Sequence, residues 1–210
     1  MQKEYTVLSP QTTTIEDGVS IGKNVIIYAN NHILKGTVIG DGCILYPNNT
    51  LQNAKIGCGC TVQNSIVTDS SVGANCTIGA FAHIHTNSSI GDNCRIGNFV
   101  EVKNSKIANS VKVAHLSYIG DGEIAENCNV GCGVVFCNYN GWEKNKIFVE
   151  KNTFIGSNVN LIAPLHIAAG SYICAGTTVS KNVEQESCII GRVRAEAVAK
   201  LADKYCKKEK

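Results

Sequence analysis

The chain has 210 residues, of which 44% are hydrophobic, enough to bury a substantial core and too many for an intrinsically disordered protein. Nineteen basic and seventeen acidic residues give a net charge of +2, too small a surplus to indicate nucleic acid or an anionic membrane as a partner. No apolar run approaches the roughly 20 residues of a membrane span and the first residues lack the apolar centre of a secretory signal, so we expect a cytoplasmic protein.

Aliphatic residues recur every six residues along most of the chain, with five steps shortened to five residues. In an amphipathic helix apolar residues recur every three or four residues, and in an exposed strand they recur every two residues. A spacing of six residues fits neither element. It predicts a solenoid with three short faces per coil, about eighteen residues per coil and roughly nine coils. The repeating positions are Ile15, Ile21, Ile27, Ile33, Ile39, Leu45, Leu51, Ile56, Val62, Val67, Val72, Ile78, Ile84, Ile90, Ile96, Val102, Ile107, Val113, Ile119, Ile124, Val130, Phe136, Val149, Ile155, Leu161, Ile167, Ile173 and Val179.

Gly, Asn and Asp stand between the repeats, as in IGDGC, IGDNC and IGSNV, and these residue types tolerate the left-handed backbone conformation of sharp corners. The units resemble the hexapeptide repeats of left-handed parallel β-helices. The handedness comes from that resemblance, because the general rule for parallel crossovers favours the right hand. We expect an all-β fold with a left-handed β-helix over residues 1–187. A C-terminal arm over 188–210 should carry a short helix in the Ala-rich RAEAVAKLADKY.

Five of the eleven cysteines fall four residues after a repeating aliphatic residue, a phase that points into the solenoid. We therefore predict that they are small core residues, since cysteine packs as a compact hydrophobe. The absence of a C-x-x-C pair weakens zinc and redox interpretations, and the odd count favours a reducing compartment. The five are Cys43, Cys60, Cys76, Cys94 and Cys128.

The repeat is interrupted once, between Phe136 and Val149, by a segment that includes CNYNGWEKNK, residues 137–146. A tolerated surface insertion would explain the break. A loop that projects from the solenoid, lines a groove and supplies site residues would explain it as well, and its aromatic, amide and basic side chains favour this second interpretation.

The motifs GNFVEVK, HLSYIGD, NVGCG and CNYNG follow one another between Gly97 and Val183. In this order they resemble the acetyltransferase domain of the bifunctional bacterial N-acetylglucosamine-1-phosphate uridyltransferase, and the opening VLSPQTTTIEDGVSIGKNV is similar to its first coils. A Gly-rich nucleotide loop is absent near the amino terminus, so we expect a free-standing acetyltransferase module without nucleotidyl transfer. The resemblance implies a homotrimer with sites between subunits, and a place in the synthesis of UDP-N-acetylglucosamine and the cell wall.

Acetyl transfer from a thioester to an amine needs a base, a stabilised oxyanion and contacts to both substrates. The resemblance implies His115 as the base, with Glu101 as a possible orienting carboxylate, glucosamine 1-phosphate as the acceptor and no metal. The residues implied for the sugar phosphate are His85, Lys103, Tyr118, Asn129 and Lys144. Those implied for acetyl-CoA, several through backbone groups, are Cys132, Asn138, Tyr139, Ser157, Ala175 and Arg192.

His85 departs from the family, which has a phosphate-binding Arg at this position. His lacks the permanent charge of Arg and cannot donate a bidentate hydrogen bond to a phosphate. We therefore expect weaker phosphate binding or another amino sugar as the acceptor. A β-helix that binds a sugar nucleotide or a partner without catalysis stays open. A zinc carbonic anhydrase using His83, His85 and His115 is a further alternative, but their spacing is poor and the motifs would go unexplained.

Overall fold

The computed structural model describes residues 4–195 and 197. Its backbone forms three parallel sheets of 11, 10 and 9 short strands, in which neighbouring strands are three places apart in the chain, except that the last strand follows its partner by two places. This order is that of a parallel β-helix with three faces, which confirms the predicted all-β solenoid. The only helical element in the described part is a single 3₁₀ turn, Pro10–Thr12. The predicted C-terminal helix lies outside the described residues apart from positions 194, 195 and 197.

We call the three sheets the first, second and third faces. The first face contains Thr6–Val7, Ile26–Ile27, Ile44–Leu45, Thr61–Val62, Thr77–Ile78, Arg95–Asn98, Lys112–His115, Asn129–Val130, Phe154–Ile155, Tyr172–Ile173 and Cys188–Ile189. The second face contains Thr14–Ile15, His32–Ile33, Thr50–Gln52, Ile66–Thr68, His83–His85, Glu101–Lys103, Tyr118–Gly120, Val135–Cys137, Asn160–Ile162 and Thr178–Val179. The third face contains Ser20–Ile21, Val38–Ile39, Lys55–Ile56, Ser71–Val72, Ser89–Ile90, Lys106–Ile107, Gly122–Ile124, Ile147–Val149 and Leu165–Ile167.

Every repeating aliphatic position lies on a strand and points into the solenoid. All of them are buried except Ile15 and Ile21, which are partly buried and pack against the same core. Two strands that the hexapeptide spacing missed, Thr6–Val7 and Cys188–Ile189, extend the first face at its ends. The second of these lies just beyond residue 187, and the division of the chain into β-helix and arm stays a prediction.

The corners use the left-handed backbone conformation that the composition predicted, mostly at Asn, Asp and Gly. At the corner between the first and second faces, three successive coils depart from this rule. Phe81, Phe99 and Leu116 adopt φ values of 59°, 57° and 48° there, and more than half of each side chain is exposed. Residues with bulky side chains rarely adopt this conformation, and such strained residues cluster at functional sites. These three positions therefore mark a candidate functional part of the corner.

The five predicted core cysteines are buried, which confirms their structural placement. Each thiol donates a hydrogen bond to a backbone carbonyl of the following coil, for example from Cys94 to Ala108 at 3.0 Å and from Cys128 to Glu150 at 3.1 Å. Burial raises the pKa of the Cys128 thiol. These thiols therefore fill the interior and satisfy the backbone of the next coil.

The interruption enlarges one coil. Asn129 pairs with Phe154, 25 residues further on, whereas Lys112 pairs with Asn129 after only 17. The added residues leave the second face after Val135–Cys137 and return at Ile147–Val149 on the third face. The loop therefore projects from the corner between these faces without disturbing the stacking of the coils.

Candidate functional site

Four predicted site residues occupy one position of the coil repeat, at the corner between the first and second faces. At this position the backbone carbonyl of one coil accepts a hydrogen bond from a backbone N–H of the next coil. The carbonyl of His115 accepts from Gly133 (3.4 Å), that of Cys132 from Asn158 (2.8 Å) and that of Ser157 from Gly176 (2.8 Å). The carbonyl of Asn98, one coil before His115, accepts from Leu116 in the same way (2.9 Å). By the register of the first face, Ala175 takes the place of Ser157 on the following coil. His115, Cys132, Ser157 and Ala175 thus form a row along the solenoid, which we call the corner row.

The backbones of the corner row approach one another closely. A Cβ atom on Gly131 would lie 2.6 Å from backbone atoms of Gly156 and Ser157, and one on Gly156 would lie 2.5 Å from the backbone nitrogen of Ala175. These two glycines therefore keep the coils in contact at the corner. Ala175 is exposed and Ser157 is half-buried, so the edge of the row is open to solvent. This arrangement suits the expectation that several contacts use backbone groups.

Arg192 joins the corner row from the end of the described chain. Its guanidinium Nη1 donates a hydrogen bond of 2.8 Å to the carbonyl oxygen of Ala175. The side chain is otherwise exposed, and within residues 4–195 and 197 its remaining N–H groups are available to an anion. Of the six residues expected to contact acetyl-CoA, four therefore lie along one corner: Cys132, Ser157, Ala175 and Arg192.

A second group of predicted residues lies on the outer side of the second face. His83, Glu101 and Tyr118 are register partners on successive coils, and His85 pairs in the same way with Lys103. Adjacent partners are about 4.8 Å apart across such a ladder. One ligand can therefore reach several of these side chains.

His85 has a partner at each ring nitrogen. Nε2 lies 3.2 Å from Oε1 of Glu101, and Nδ1 lies 2.8 Å from Oγ1 of Thr86. Its ring also stacks on that of His83, with centroids 4.1 Å apart. Burial, assisted by the neighbouring His85, lowers the pKa of His83. In the described part of the chain, Glu101 makes its hydrogen bond to His85 and none to His115, so an orienting role of Glu101 toward His115 stays a prediction.

A buried carboxylate lies next to two predicted site residues, Tyr118 of this group and Asn138 of the projecting loop. Nδ2 of Asn138 donates to Oδ2 of Asp121 at 2.5 Å and lies 3.4 Å from the hydroxyl of Tyr118. Oδ1 of Asp121 accepts the side-chain amide of Asn104. A Cβ on Gly120 would come within 2.7 Å of the Asn138 amide and closer still to the Tyr118 hydroxyl, so glycine is needed for this contact. Asp121 and Asn104 are not among the predicted site residues, although Asp121 belongs to the HLSYIGD motif.

The projecting loop presents Tyr139 and Lys144, which face each other in an antiparallel bridge. Its tip is a tight turn in which Oδ1 of Asn140 accepts the backbone N–H groups of Trp142 and Glu143, both at 2.9 Å. Trp142 is 92% exposed. The loop therefore holds an aromatic side chain in solvent next to two predicted site residues.

One chain does not bring all the predicted residues together. Asn129 lies on the first face between Lys112 and Phe154, while Lys103, Tyr118 and the loop lie on or beyond the second face. In the described part of the chain, no hydrogen bond joins the corner row to the second-face group. Within one chain these residues thus form two separate groups, one along the corner row and one on the second face.

The third face carries a cavity that lies apart from the predicted site residues. A cavity of about 800 Å³ lies on the third face, lined by Phe148, Glu150 and His166 among others, and contains none of the predicted site residues. Within residues 4–195 and 197, no three His, Cys, Asp or Glu side chains form a group that could hold a metal ion. In the same residues, no helix has the length and apolar character needed to cross a membrane.

The comparisons with known proteins agree with this architecture. The family described as "Bacterial transferase hexapeptide (six repeats)" matches residues 18–53 and 69–104, and "Hexapeptide repeat of succinyl-transferase" matches residues 146–181. A crystal structure of a UDP-N-acetylglucosamine acyltransferase superposes with a TM-score of 0.66 at 14% identity, covering 81% of this chain and 71% of that one, which shows a shared fold. The chain belongs to the hexapeptide-repeat transferases and is a left-handed β-helix.

Curated relatives identify the branch of that family. The bifunctional protein GlmU of Clostridium kluyveri is 43% identical over 194 residues, which is 92% of this chain and 42% of the relative. GlmU of Clostridium beijerinckii is 40% identical over 204 residues, which is 97% of this chain and 45% of the relative. The chain thus spans less than half the length of these relatives, and the match confirms the resemblance to the acetyltransferase part of that protein.

Proposed function

We propose that this chain is an acetyl-CoA-dependent N-acetyltransferase whose acceptor is an amino sugar, glucosamine 1-phosphate by resemblance. The observation that carries the proposal is the corner row. Its backbone ladder places the candidate base His115 in line with Cys132, Ser157 and Ala175, with Arg192 at the far end. A long coenzyme lying along this row would place its thioester at the end occupied by His115 and its phosphates near Arg192.

The proposed reaction is direct transfer. Neutral His115 takes a proton from the attacking amine as the nitrogen attacks the thioester carbonyl carbon. The carbon–sulfur bond then breaks, and protonated His115 returns the proton to the departing sulfur, so that CoA leaves as its thiol. The imidazole side chain of His115 is exposed and has no hydrogen-bond partner in the described part of the chain, so it is accessible to a substrate. Backbone N–H groups at the corner are the proposed donors to the oxyanion.

The acceptor would be held by the second-face group. Lys103 and Lys144 supply positive charge for a phosphate, and Tyr118 supplies a hydroxyl donor. His85 and Asn129 complete the proposed set, while Asn138 and Tyr139 would contact the coenzyme from the loop. Since these residues occupy separate faces of one chain, we propose a homotrimer with each site shared between neighbouring copies. The reaction would take place in the cytoplasm.

Exposed apolar residues support the proposed assembly. Phe81 and Phe99 stack with ring centroids 5.0 Å apart and, with Leu116, form an apolar ridge directly beside Asn98 and His115. Such a ridge in a strained conformation suits contact with another copy. The molar mass in solution tests this: sedimentation equilibrium should give three chains, and Phe99→Asp should shift the distribution toward single chains.

An acceptor screen tests the proposed activity. Purified protein would be incubated with acetyl-CoA and a panel of amino sugars and their 1-phosphates, and release of free CoA thiol would be measured. We expect the fastest turnover with glucosamine 1-phosphate, and acetylated product confirmed by mass spectrometry. Thiol release at the rate of the acceptor-free blank for every sugar would contradict the proposal.

The second candidate function is binding of a sugar nucleotide or a partner without catalysis. It is favoured by His85, which replaces the family Arg and has both ring nitrogens occupied by Glu101 and Thr86. The screen separates the two functions when it is combined with calorimetric titration. Ligand binding without acetyl transfer would favour the noncatalytic function.

A further inference from the structure

Two thiols near the end of the described solenoid face each other across neighbouring coils. Sγ of Cys174 lies 3.9 Å from Sγ of Cys188, and the strand Cys188–Ile189 pairs with Tyr172–Ile173. Cys188 is exposed and Cys174 is half-buried. The arrangement differs from that of the five core cysteines, whose thiols are buried and donate to backbone carbonyls. This pair is therefore both close together and accessible.

We propose that Cys174 and Cys188 form a reversible dithiol–disulfide couple that fastens the last described coil to the one before it. The inference does not depend on the proposed acetyltransferase activity. A disulfide needs a sulfur–sulfur distance of about 2.05 Å, so the two atoms must approach by about 2 Å. Neither residue belongs to the buried core, so this approach involves the outer surface and the strand Cys188–Ile189.

The chemistry needs an oxidant, for which a small-molecule disulfide is sufficient. The Cys188 thiolate attacks one sulfur of this disulfide, forms a mixed disulfide and expels one small thiolate, which takes up a proton. The Cys174 thiolate then attacks the Cys188 sulfur and expels the second small thiol. The protein loses two electrons and two protons, and the small disulfide is reduced to two thiols. The hydrogen bond with Cys174 raises the pKa of Cys188, so the reaction should accelerate as the pH rises from about 7 to 9.

The proposed disulfide would lie at the end of the described solenoid, where it would restrain the terminal strand. In the described part of the chain, Cys188–Ile189 pairs with a strand on one side only and is the last strand of the first face. A strand in this position is expected to open more readily than the interior coils. Cys174 directly precedes Ala175, whose carbonyl accepts the hydrogen bond from Arg192. A disulfide would hold the strand Cys188–Ile189 to this corner of the preceding coil by closing a short loop.

The test uses oxidised glutathione as the small disulfide, with the whole chain as it exists. After treatment, the protein is digested without reduction and its peptides are mapped by mass spectrometry. We expect a cross-linked peptide pair containing Cys174 and Cys188, which dithiothreitol separates. In hydrogen–deuterium exchange, residues 185–192 should exchange on the order of tenfold more slowly in the oxidised protein than in the reduced protein.

Three variants make the result specific. Cys188→Ser and Cys174→Ser should lose both the cross-link and the slowed exchange, and each should carry at most one glutathione at the remaining thiol. Cys58→Ser, which removes another exposed thiol, should keep both effects. Separate glutathione adducts on Cys174 and Cys188 in the unsubstituted protein, or two free thiols while Cys58 is modified, would overturn the proposal. So would a cross-link that leaves the exchange of residues 185–192 unchanged.

Discussion

The side-chain amide of Asn138 donates a hydrogen bond of 2.5 Å to the buried carboxylate of Asp121. Asn138 is the first loop residue that the resemblance assigns to acetyl-CoA. The contact with Asp121 holds it beside the Tyr118 hydroxyl. Asp121 also accepts the amide of Asn104 and is only 8% exposed. One carboxylate thus connects the loop to two neighbouring coils.

We expect Asp121→Ala to destabilise the protein and to weaken acetyl-CoA binding. The change leaves two side-chain amides without their acceptor, at a cost of about 1 to 3 kcal/mol. Thermal unfolding and calorimetric titration with acetyl-CoA measure the two effects. Asn104→Ala is the matched control, because it removes one donor from the same carboxylate without touching the loop, and it should leave acetyl-CoA affinity close to normal. Equal affinities for all three proteins would show that Asp121 does not position Asn138.

His115→Ala should lower turnover by about 10² to 10⁴, the usual effect of losing a general base. Acetyl-CoA affinity should change little, because the remaining residues of the corner row lie on later coils. Single-turnover kinetics and calorimetric titration give the two quantities. His32→Ala, at an exposed strand position near the amino terminus, is a control that should behave as the unsubstituted protein. Turnover in His115→Ala within about threefold of normal would exclude His115 as the base.

Thiol labelling should divide the cysteines into two classes. Cys43, Cys60, Cys76, Cys94 and Cys128 are buried and should react with iodoacetamide at least about tenfold more slowly than exposed Cys58. Time-resolved peptide mass spectrometry under native conditions measures the rates. In the variant Cys188→Ser, which cannot form the proposed disulfide, adding a reductant should leave the unfolding temperature unchanged. A native disulfide within the buried set would contradict this placement.

Much of the architecture could be predicted because it depends on a strict local repeat. Each aliphatic residue such as Ile96 has to fill the same narrow interior, and each corner needs a residue such as Asn93 that accepts a positive φ. The exceptions could not be predicted in this way. Phe99 occupies a corner where Asn or Gly is expected, and its ring stacks on that of Phe81 on the preceding coil, a contact that the spacing of the repeat does not encode.

The candidate site was predictable mainly through its motifs. They pointed to His115 and the acetyl-CoA residues, and the register of the first face was needed to show that four of these positions share one corner. The interactions of Asp121 with Asn104 and Asn138 join residues 17 positions apart on different coils, and single-residue reasoning gave no signal for them. The pairing of Glu101 with His85 likewise depends on the register of the second face.

Acidification should destabilise the protein in part through His83. Burial and the neighbouring His85 lower the pKa of His83 in the folded state below its usual value of about 6.5. As the pH falls below about 6.5, the unfolded chain takes up the proton more readily than the folded protein, so stability is lost until the folded protein is protonated as well. His83→Gln should reduce that loss in unfolding temperature by about 1 to 2 °C, a small effect because the ring is partly solvated. His32→Gln serves as the exposed control, and equal losses in both variants would contradict the assignment.

The side chain at position 85 should determine how tightly this chain binds the phosphate of glucosamine 1-phosphate, because the family has Arg where this chain has His85. Its Nε2 lies 3.2 Å from the Glu101 carboxylate, and Lys103 is its partner on the next coil. An Arg at this position has enough donors to keep the contact with Glu101 and still offer charged N–H groups to a phosphate. We therefore expect His85→Arg to bind glucosamine 1-phosphate about tenfold more tightly, with no change for unphosphorylated glucosamine.

Calorimetric titration of both proteins with both sugars measures this difference, and His85→Lys distinguishes a gain in charge from a gain in donor geometry. Arg should exceed Lys because its planar guanidinium can contact two phosphate oxygens at once, whereas Lys provides a point charge. Tighter binding of both sugars by His85→Arg would indicate a general effect on the second face. If neither the unsubstituted protein nor His85→Arg prefers the phosphorylated sugar, a phosphate subsite at His85 and Lys103 is excluded, and the acceptor is an amino sugar without the 1-phosphate.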